Sequence, residues 1–198
     1  MKRSILPSTE TKVGLLLYFY KKSGKSKLKF NTLNGEVSAT IHADNDIEVS
    51  LPPVIESDWN QLVDWQQGAV HFDFIRAGVP HAVVKVPHLE NREGLREFAG
   101  IIKKMPRFNE EGINVTYVSQ VNDKQIKSVT FERGVEDFTR ACGTGAISAA
   151  FSLSRGEDAR PIQVQVPGGN LIVVWKNGRP HLRGPAKIIA EMRVIKES

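Results

Sequence analysis

The residues most able to do chemistry surround the only cysteine of the chain, Cys142. Gly143, Thr144 and Gly145 follow it directly, at a point where a run typical of a strand gives way to a run typical of a helix. The first four N–H groups of a helix have no partner within the helix, so they present partial positive charge to a carboxylate or a thiolate. We therefore predict an anion site beside Cys142, and we expect its thiol to have a lowered pKa and to act as a base or nucleophile near neutral pH.

From the residue types alone, each candidate also has a plainer interpretation. A lone cysteine is usually a small buried hydrophobic residue. The planar guanidinium of Arg133 can bind a carboxylate through two hydrogen bonds, but it can equally be an exposed side chain beside a turn. His81 is open to a structural role as well as a site role.

The composition limits the classes of partner. The chain has 198 residues, of which 40% are hydrophobic, which suits one large domain or two small lobes. The formal charge of +5 favours anionic partners, and lysines cluster between residues 21 and 29. Because neither an aromatic platform nor a known binding motif accompanies that cluster, we interpret it as a solvated loop and predict no nucleic-acid partner.

A single cysteine excludes an internal disulfide and favours a reducing compartment, so we expect a cytoplasmic protein. The apolar run over residues 13–20 is too short to span a bilayer, which takes about 20 residues, and no membrane association is expected. His, Cys and carboxylate residues do not fall at metal-ligand spacing. The spacing therefore implies no metal. The pairs Gly168-Gly169 and Gly184-Pro185 match no phosphate-binding pattern and are interpreted as turns.

The predicted elements deliver Cys142 to the start of a helix. Asn34-Gly35 is a strong hairpin signal within a three-stranded meander, and Pro52-Pro53 is the best candidate for a lobe boundary. Apolar residues at helical spacing predict an amphipathic helix over residues 90–104. The remaining pattern predicts strands at 28–33, 36–42, 47–51, 70–76, 81–86, 114–121, 125–132, 163–166, 171–175 and 188–194, with a buried helix after Cys142.

Several short motifs share their order and spacing with one enzyme family. The chain reads Glu132-Arg133-Gly134, a short acidic stretch, and then residues 139–146 as Thr-Arg-Ala-Cys-Gly-Thr-Gly-Ala. Further motifs occur at residues 79–84, 108–115, 166–171 and 184–186. From about Lys27 onward the chain resembles the diaminopimelate epimerase family, which epimerises an amino acid without pyridoxal phosphate.

The resemblance implies a fold and a division of the chain. The expected fold is α/β (α+β), with two similar lobes, each a rolled mixed β-sheet around a central helix. Residues 1–52 would form a first lobe that lacks its opening strands, to which residues 187–198 can return. Residues 53–186 would form the second lobe. The oligomeric state stays open, although family members commonly pair as homodimers.

The resemblance also implies roles for the site residues. Cys142 would act as one of two catalytic thiols in the interconversion of LL- and meso-diaminopimelate, a step in lysine and peptidoglycan precursor synthesis, with no cofactor. Glu132 would assist proton movement at this thiol, and the amides of Gly143 and Thr144 would hold the reacting carboxylate. The far carboxylate of this small amino-acid substrate would be bound by Asn114 and Arg133.

The sequence departs from the family in its first half. The other catalytic cysteine is expected near Ser8, where no cysteine occurs, and His81, a catalytic candidate by its match, would partner that missing residue. Val79 replaces a substrate-binding asparagine. An alternative is therefore a non-catalytic remnant or carboxylate-binding protein of the same fold. An isomerase that uses carboxylates as acid and base is disfavoured because Cys142 is kept.

Overall fold

The computed structural model describes residue 20 and residues 23–32, 35–43, 46–66, 68–156 and 160–186. Two helices and twelve strands lie in these ranges, together with a short 3-10 helix at Pro106–Phe108. The helices are α1 (Arg92–Lys103) and α2 (Gly143–Ser154). The strands are β1 (Lys27–Thr32), β2 (Gly35–Ile41), β3 (Asp46–Ser50), β4 (Val54–Trp65), β5 (Gly68–Ala77), β6 (Val79–Lys85), β7 (Asn114–Asn122), β8 (Gln125–Glu132), β9 (Asp137–Phe138), β10 (Ile162–Val166), β11 (Gly169–Lys176) and β12 (Arg179–Pro185).

The strands form one mixed sheet that curls around α2. Their order is β1-β2-β3-β12-β11-β10-β8-β7-β6-β5-β4, and the short β9 pairs with β8. The pairs β6–β7 and β8–β10 are parallel, and the other neighbours are antiparallel. Helix α2 contacts every strand from β5 round to β12 on this path, so it lies inside the roll. The predicted α+β class with a central helix is confirmed.

Helix α2 can lie inside the sheet because many of its buried side chains are small. Gly145, Ala146, Ala149 and Ala150 are buried, which lets the strands approach the helix axis closely. The helix begins immediately after Cys142, whose backbone is extended (φ −129°, ψ 110°). Cys142 is therefore the residue that precedes the first turn, at the positive end of the helix dipole, as predicted.

Helix α1 covers the opposite face of the sheet. It begins after Asn91, whose side chain accepts a hydrogen bond from the Gly94 N–H at 3.1 Å. Leu95, Phe98 and Ile102 face the sheet, as the helical spacing predicted. They join a core with Phe72, Phe74, Val84 and Tyr117, so the strands behind the site are buried on both faces.

The structure confirms most predicted elements and corrects two. The meander is present as β1 to β3, helix α1 begins and ends within two residues of its predicted bounds, and helix α2 begins directly after Cys142 as predicted. Strand β4 was not predicted, because a bulge between Asp58 and Gln61 interrupts its alternation. The interpretation of Gly184-Pro185 as a turn is wrong, since both residues belong to β12 and pair with Ile47 and Asp46.

Some predictions concern residues that the structure does not describe. The apolar run at 13–20, apart from residue 20, lies outside the described residues, as do the region of Ser8 and the strand at 188–194. The division at Pro52-Pro53 stays a prediction, and β12 pairs directly with β3 across it. Neither of the two described helices is long and apolar enough to cross a membrane.

Candidate active site

The site forms where β6, β7 and β8 meet the beginning of α2. The parallel register of β6 and β7 places His81 beside Asn114. Strand β8 ends at Glu132, and the chain then turns back through β9 to reach Cys142. The sheet register thus brings residues that are up to 63 positions apart in sequence, from His81 to Thr144, to one end of the central helix.

His81 is completely buried and hydrogen-bonded on both ring nitrogens. Its Nδ1 lies 2.9 Å from Thr116 Oγ1, and its Nε2 lies 3.0 Å from Thr144 Oγ1 and 3.3 Å from Asn114 Nδ2. Burial, and then the positive charge of Arg133, lower the pKa of His81 to about 3. His81 is therefore a neutral imidazole at physiological pH.

The Cys142 thiol is half-buried, and its Sγ lies 3.6 Å from Thr144 Oγ1. Burial, and then the negative charge of Glu132, raise its pKa to about 11, although hydrogen bonding from Thr144, Gly145 and Thr130 opposes the shift. The prediction of a lowered pKa is wrong, because desolvation and the nearby carboxylate outweigh the helix dipole. The resulting thiol is a weak acid whose thiolate is a strong base.

Asn114 and Arg133 are linked through the backbone. The Arg133 N–H donates to Asn114 Oδ1 at 2.9 Å, while the guanidinium NH1 donates to the Glu111 and Gly112 carbonyl oxygens. Within the described residues, no hydrogen bond engages Nε or NH2 of this guanidinium. The Arg133 side chain is thus held through NH1 by two backbone carbonyl oxygens.

The structure brings the predicted site residues into one connected group. Cys142 is joined to His81 through the Thr144 hydroxyl, and His81 is joined to Arg133 through Asn114. Glu132 acts on the thiol through its charge, and Gly143 supplies a first-turn amide of α2. The tertiary fold has therefore gathered all the candidates at one end of α2.

Sequence reasoning missed two threonines beneath the thiol. The Oγ1 atoms of Thr116 and Thr130 are 3.1 Å apart, and both residues are buried. A Cβ added at Gly145 would lie 2.4 Å from Thr130 Oγ1 and 3.2 Å from Thr116 Oγ1, so only glycine fits over this pair. The available signal was Thr116, a polar residue that shares its face of a buried strand with Asn114.

Gly168 supports the segment that precedes Cys142. Its N–H donates to the Arg140 carbonyl oxygen at 2.6 Å, and an added Cβ would lie 2.9 Å from the same oxygen. The Pro167-Gly168 turn therefore needs glycine for close approach and holds in place the segment that leads into α2.

Among the described residues, no group of three or more His, Cys, Asp or Glu side chains could hold a metal ion.

We expect alkylation of Cys142 by iodoacetamide to rise about tenfold per pH unit from pH 7 to 10, because only the thiolate reacts and the pKa is about 11. Stopped-time alkylation followed by intact-mass spectrometry measures this profile. The same chain unfolded in urea is the control and should titrate near the ordinary cysteine pKa of about 8.5. A rate that levels off below pH 9 in the folded protein would contradict the expectation.

Comparison with solved structures identifies the class of fold. A crystal structure named as a probable proline racemase from Agrobacterium radiobacter K84 superposes with a TM-score of 0.70 at 19% identity, covering 95% of this chain and 66% of that chain. A hydroxyproline epimerase from Agrobacterium vitis superposes with a TM-score of 0.64 at 17% identity, covering 88% of this chain and 61% of that chain. The chain therefore has the fold of these amino-acid epimerases and racemases.

Sequence comparison identifies the family within that fold. The sequence profile of the diaminopimelate epimerase family matches residues 74–189. The diaminopimelate epimerase of Bacillus subtilis (strain 168) is 30% identical over 195 residues, covering 88% of this chain and 68% of the relative. That of Stutzerimonas stutzeri (strain A1501) is 32% identical over 186 residues, covering 86% and 66% respectively. The chain belongs to the diaminopimelate epimerase family and spans about two thirds of the length of these relatives.

Proposed function

We propose that this chain is a cofactor-independent isomerase of the diaminopimelate epimerase type, in which the Cys142 thiol moves the proton on the α-carbon of diaminopimelate. The observation that carries the proposal is the thiol itself, which lies at the start of a buried helix beside the Glu132 carboxylate. The α-proton of an amino acid is very weakly acidic, so its removal needs a strong base within a site that stabilises the resulting charge.

We assign parts in this reaction to the residues around the thiol. The first-turn amides of α2, from Gly143 and Thr144, donate hydrogen bonds to the α-carboxylate and stabilise the negative charge that develops on it. The thiolate of Cys142 takes the α-proton, so an S–H bond forms while the electron pair of the broken C–H bond stays on the substrate. Glu132, as a neighbouring carboxylate, keeps this thiolate strongly basic.

A dicarboxylate substrate is favoured by the position of Arg133. Its guanidinium is anchored by the carbonyl oxygens of Glu111 and Gly112, and Asn114 holds its backbone N–H. A charged group fixed in this way recognises a second carboxylate at a set distance from the first. We assign the far carboxylate of diaminopimelate to Arg133, with Asn114 beside it.

Arg133→Lys is expected to weaken diaminopimelate binding by about tenfold to a hundredfold, the cost of losing hydrogen bonds to a charged group. The affinity for a monocarboxylate amino acid should change little, because that ligand lacks the second carboxylate. Isothermal titration calorimetry with both ligands measures the difference. Arg160→Lys is a matched control, since Arg160 is exposed and pairs only loosely with Asp123 at 3.7 Å. Equal losses for both ligands would remove Arg133 from the far-carboxylate site.

A second function follows from the presence of only one cysteine in the 198 residues. A single thiol reaches one face of the substrate, whereas inversion needs an acid on the opposite face. The alternative is therefore a carboxylate-binding protein of the same fold that does not catalyse epimerisation. The two functions share the binding site and differ in whether the α-proton is exchanged. The division into lobes at 1–52 and 53–186 is proposed for both.

A further inference from the structure

A path of hydrogen bonds leads from the Cys142 thiol through buried side chains and back towards the same thiol. From Cys142 Sγ it passes to Thr144 Oγ1 at 3.6 Å and on to His81 Nε2 at 3.0 Å. From His81 Nδ1 it continues to Thr116 Oγ1 at 2.9 Å and then to Thr130 Oγ1 at 3.1 Å. Hydrogen bonding by the Thr130 hydroxyl in turn acts on the Cys142 thiol.

The hydrogen bonds of Asn114 determine which atoms donate and which accept along this hydrogen-bond path. The backbone N–H of Arg133 can only donate, so the Asn114 atom that faces it must be the oxygen. The other Asn114 atom is therefore the amide nitrogen, which donates to His81 Nε2. Since His81 is neutral and its Nε2 accepts, the ring proton must be on Nδ1, from which it is donated to Thr116 Oγ1.

The remaining donors follow in one direction. Thr144 donates its hydroxyl proton to His81 Nε2, which leaves its oxygen to accept the Cys142 S–H. Thr116, having accepted from His81, donates to Thr130, and the Thr130 hydroxyl proton is then directed to the sulfur. Each hydroxyl accepts one hydrogen bond and donates one, so every buried polar group in the path has a partner.

We propose that Thr144, Thr116 and Thr130, acting through His81, are positioning residues that orient the Cys142 thiol and supply hydrogen-bond donors to its thiolate. The inference deepens the proposed function. It rests on that function only where it treats the thiolate as the base that removes the α-proton. When the thiol loses its proton to solvent on its exposed side, the Thr144 hydroxyl turns from His81 Nε2 to the sulfur. His81 Nε2 then keeps the Asn114 amide as its donor, so no buried atom loses its partner and no proton moves along the hydrogen-bond path.

Two charged groups act on this network, and each has a defined effect. Glu132 opposes ionisation of the thiol through its negative charge. Arg133 opposes protonation of His81 through its positive charge. The three threonines do not titrate, so they can stabilise the thiolate without adding a competing charge.

The first test compares the pH profile of alkylation in hydroxyl-deleting variants. Thr144→Val and Thr130→Val each remove one donor to the thiolate, so each should raise the apparent thiol pKa by about one unit and slow alkylation at pH 9 about tenfold. Thr144→Ser and Thr130→Ser keep the hydroxyl and should stay within about threefold of the native rate at the same pH. Thr139→Val is the matched control, because the buried Thr139 hydroxyl has no hydrogen-bond partner among the described residues.

Native-like profiles in both valine variants would overturn the proposal. If Thr130→Val does not fold, Thr144→Val decides the result, because Thr144 is only partly buried in the first turn of α2. Alkylation uses no substrate, so failure of this test is distinct from failure of the proposed function. A protein that bound no diaminopimelate could still show the predicted profiles.

The second test needs no variant. Nitrogen-15 chemical shifts of the His81 ring should show Nδ1 protonated and Nε2 unprotonated, with no change down to about pH 4, because burial lowers the His81 pKa to about 3. Long-range nitrogen–proton correlation spectra of the full chain report both nitrogens. A proton on Nε2 would reverse the donor and acceptor roles along the hydrogen-bond path and overturn the proposal.

Discussion

In deuterium oxide, the 198-residue chain is expected to introduce deuterium at one α-carbon of diaminopimelate while the configuration of that carbon is retained. The chain contains one cysteine, and a base on one face of a planar carbanion returns a proton only to that face. Cys142→Ala should abolish the exchange completely. Mass spectrometry measures the deuterium, and chiral chromatography separates LL- from meso-diaminopimelate.

The controls for this exchange distinguish the proposed activity from its alternatives. Thr139→Val should exchange at the native rate, because it removes a buried hydroxyl to which no described residue is hydrogen-bonded. Rapid conversion of LL- to meso-diaminopimelate would show that another group of the chain supplies the second acid. Binding without exchange would favour the carboxylate-binding protein. Detecting neither would contradict the assignment of the substrate.

Gly145→Ala is expected to destabilise the protein by about 1–3 kcal/mol, the usual cost of forcing an extra methyl group into a packed core. The added Cβ would lie 2.4 Å from Thr130 Oγ1 and 3.2 Å from Cys142 Cβ. Thr130 cannot move away without giving up its hydrogen bond to Thr116. Urea unfolding, with the free energy of unfolding extrapolated to water, measures the loss.

Gly100→Ala provides the matched control for this substitution. Gly100 also lies within a helix, α1, but a Cβ added there meets no atom within 4 Å. Alanine is favoured over glycine in a helix by about 1 kcal/mol, so this variant should be more stable than the native chain. If Gly145→Ala unfolded at the same urea concentration as Gly100→Ala, the close packing of Gly145 against the threonines would be disproved.

The raised pKa of Cys142 changes how the site would operate. A thiol with a pKa of about 11 is almost entirely protonated at pH 7, so the resting enzyme holds an acid on this face. Its thiolate is rarer than that of an ordinary cysteine but is a stronger base towards a weakly acidic α-proton. Burial and the Glu132 charge raise the basicity of the sulfur, and the hydrogen-bond donors around it lower that basicity.

The accuracy of the predicted elements depended on how local their signals were. The hairpin at Asn34-Gly35 and helix α1 were predicted because turn residues and a helical apolar spacing are properties of short segments. Strand β4 was missed because its bulge at Asp58 to Gln61 breaks the alternation. Strand β12 was missed because Gly184 and Pro185 are typical of turns, and only their pairing with Ile47 and Asp46 places them in the sheet.

The sequence by itself determined where the candidate site lies. The run of Cys142, Gly143 and Thr144 after a strand-like segment specifies a helix start. The first N–H groups of a helix have no partner within the helix and lie at the positive end of its dipole, whatever packs around them. The Glu-Arg-Gly motif before it likewise placed a carboxylate and a guanidinium nearby. Both inferences needed only residues within about ten positions of one another.

The tertiary structure decided what kind of thiol Cys142 is. Burial inside the curled sheet and the charge of Glu132 reversed the direction expected for its pKa, because desolvation depends on all the elements around the sulfur. The register of three strands also brought His81, Thr116 and Thr130 beneath it. No local signal encodes such a register, since it is fixed by which faces of distant strands bury their apolar side chains together.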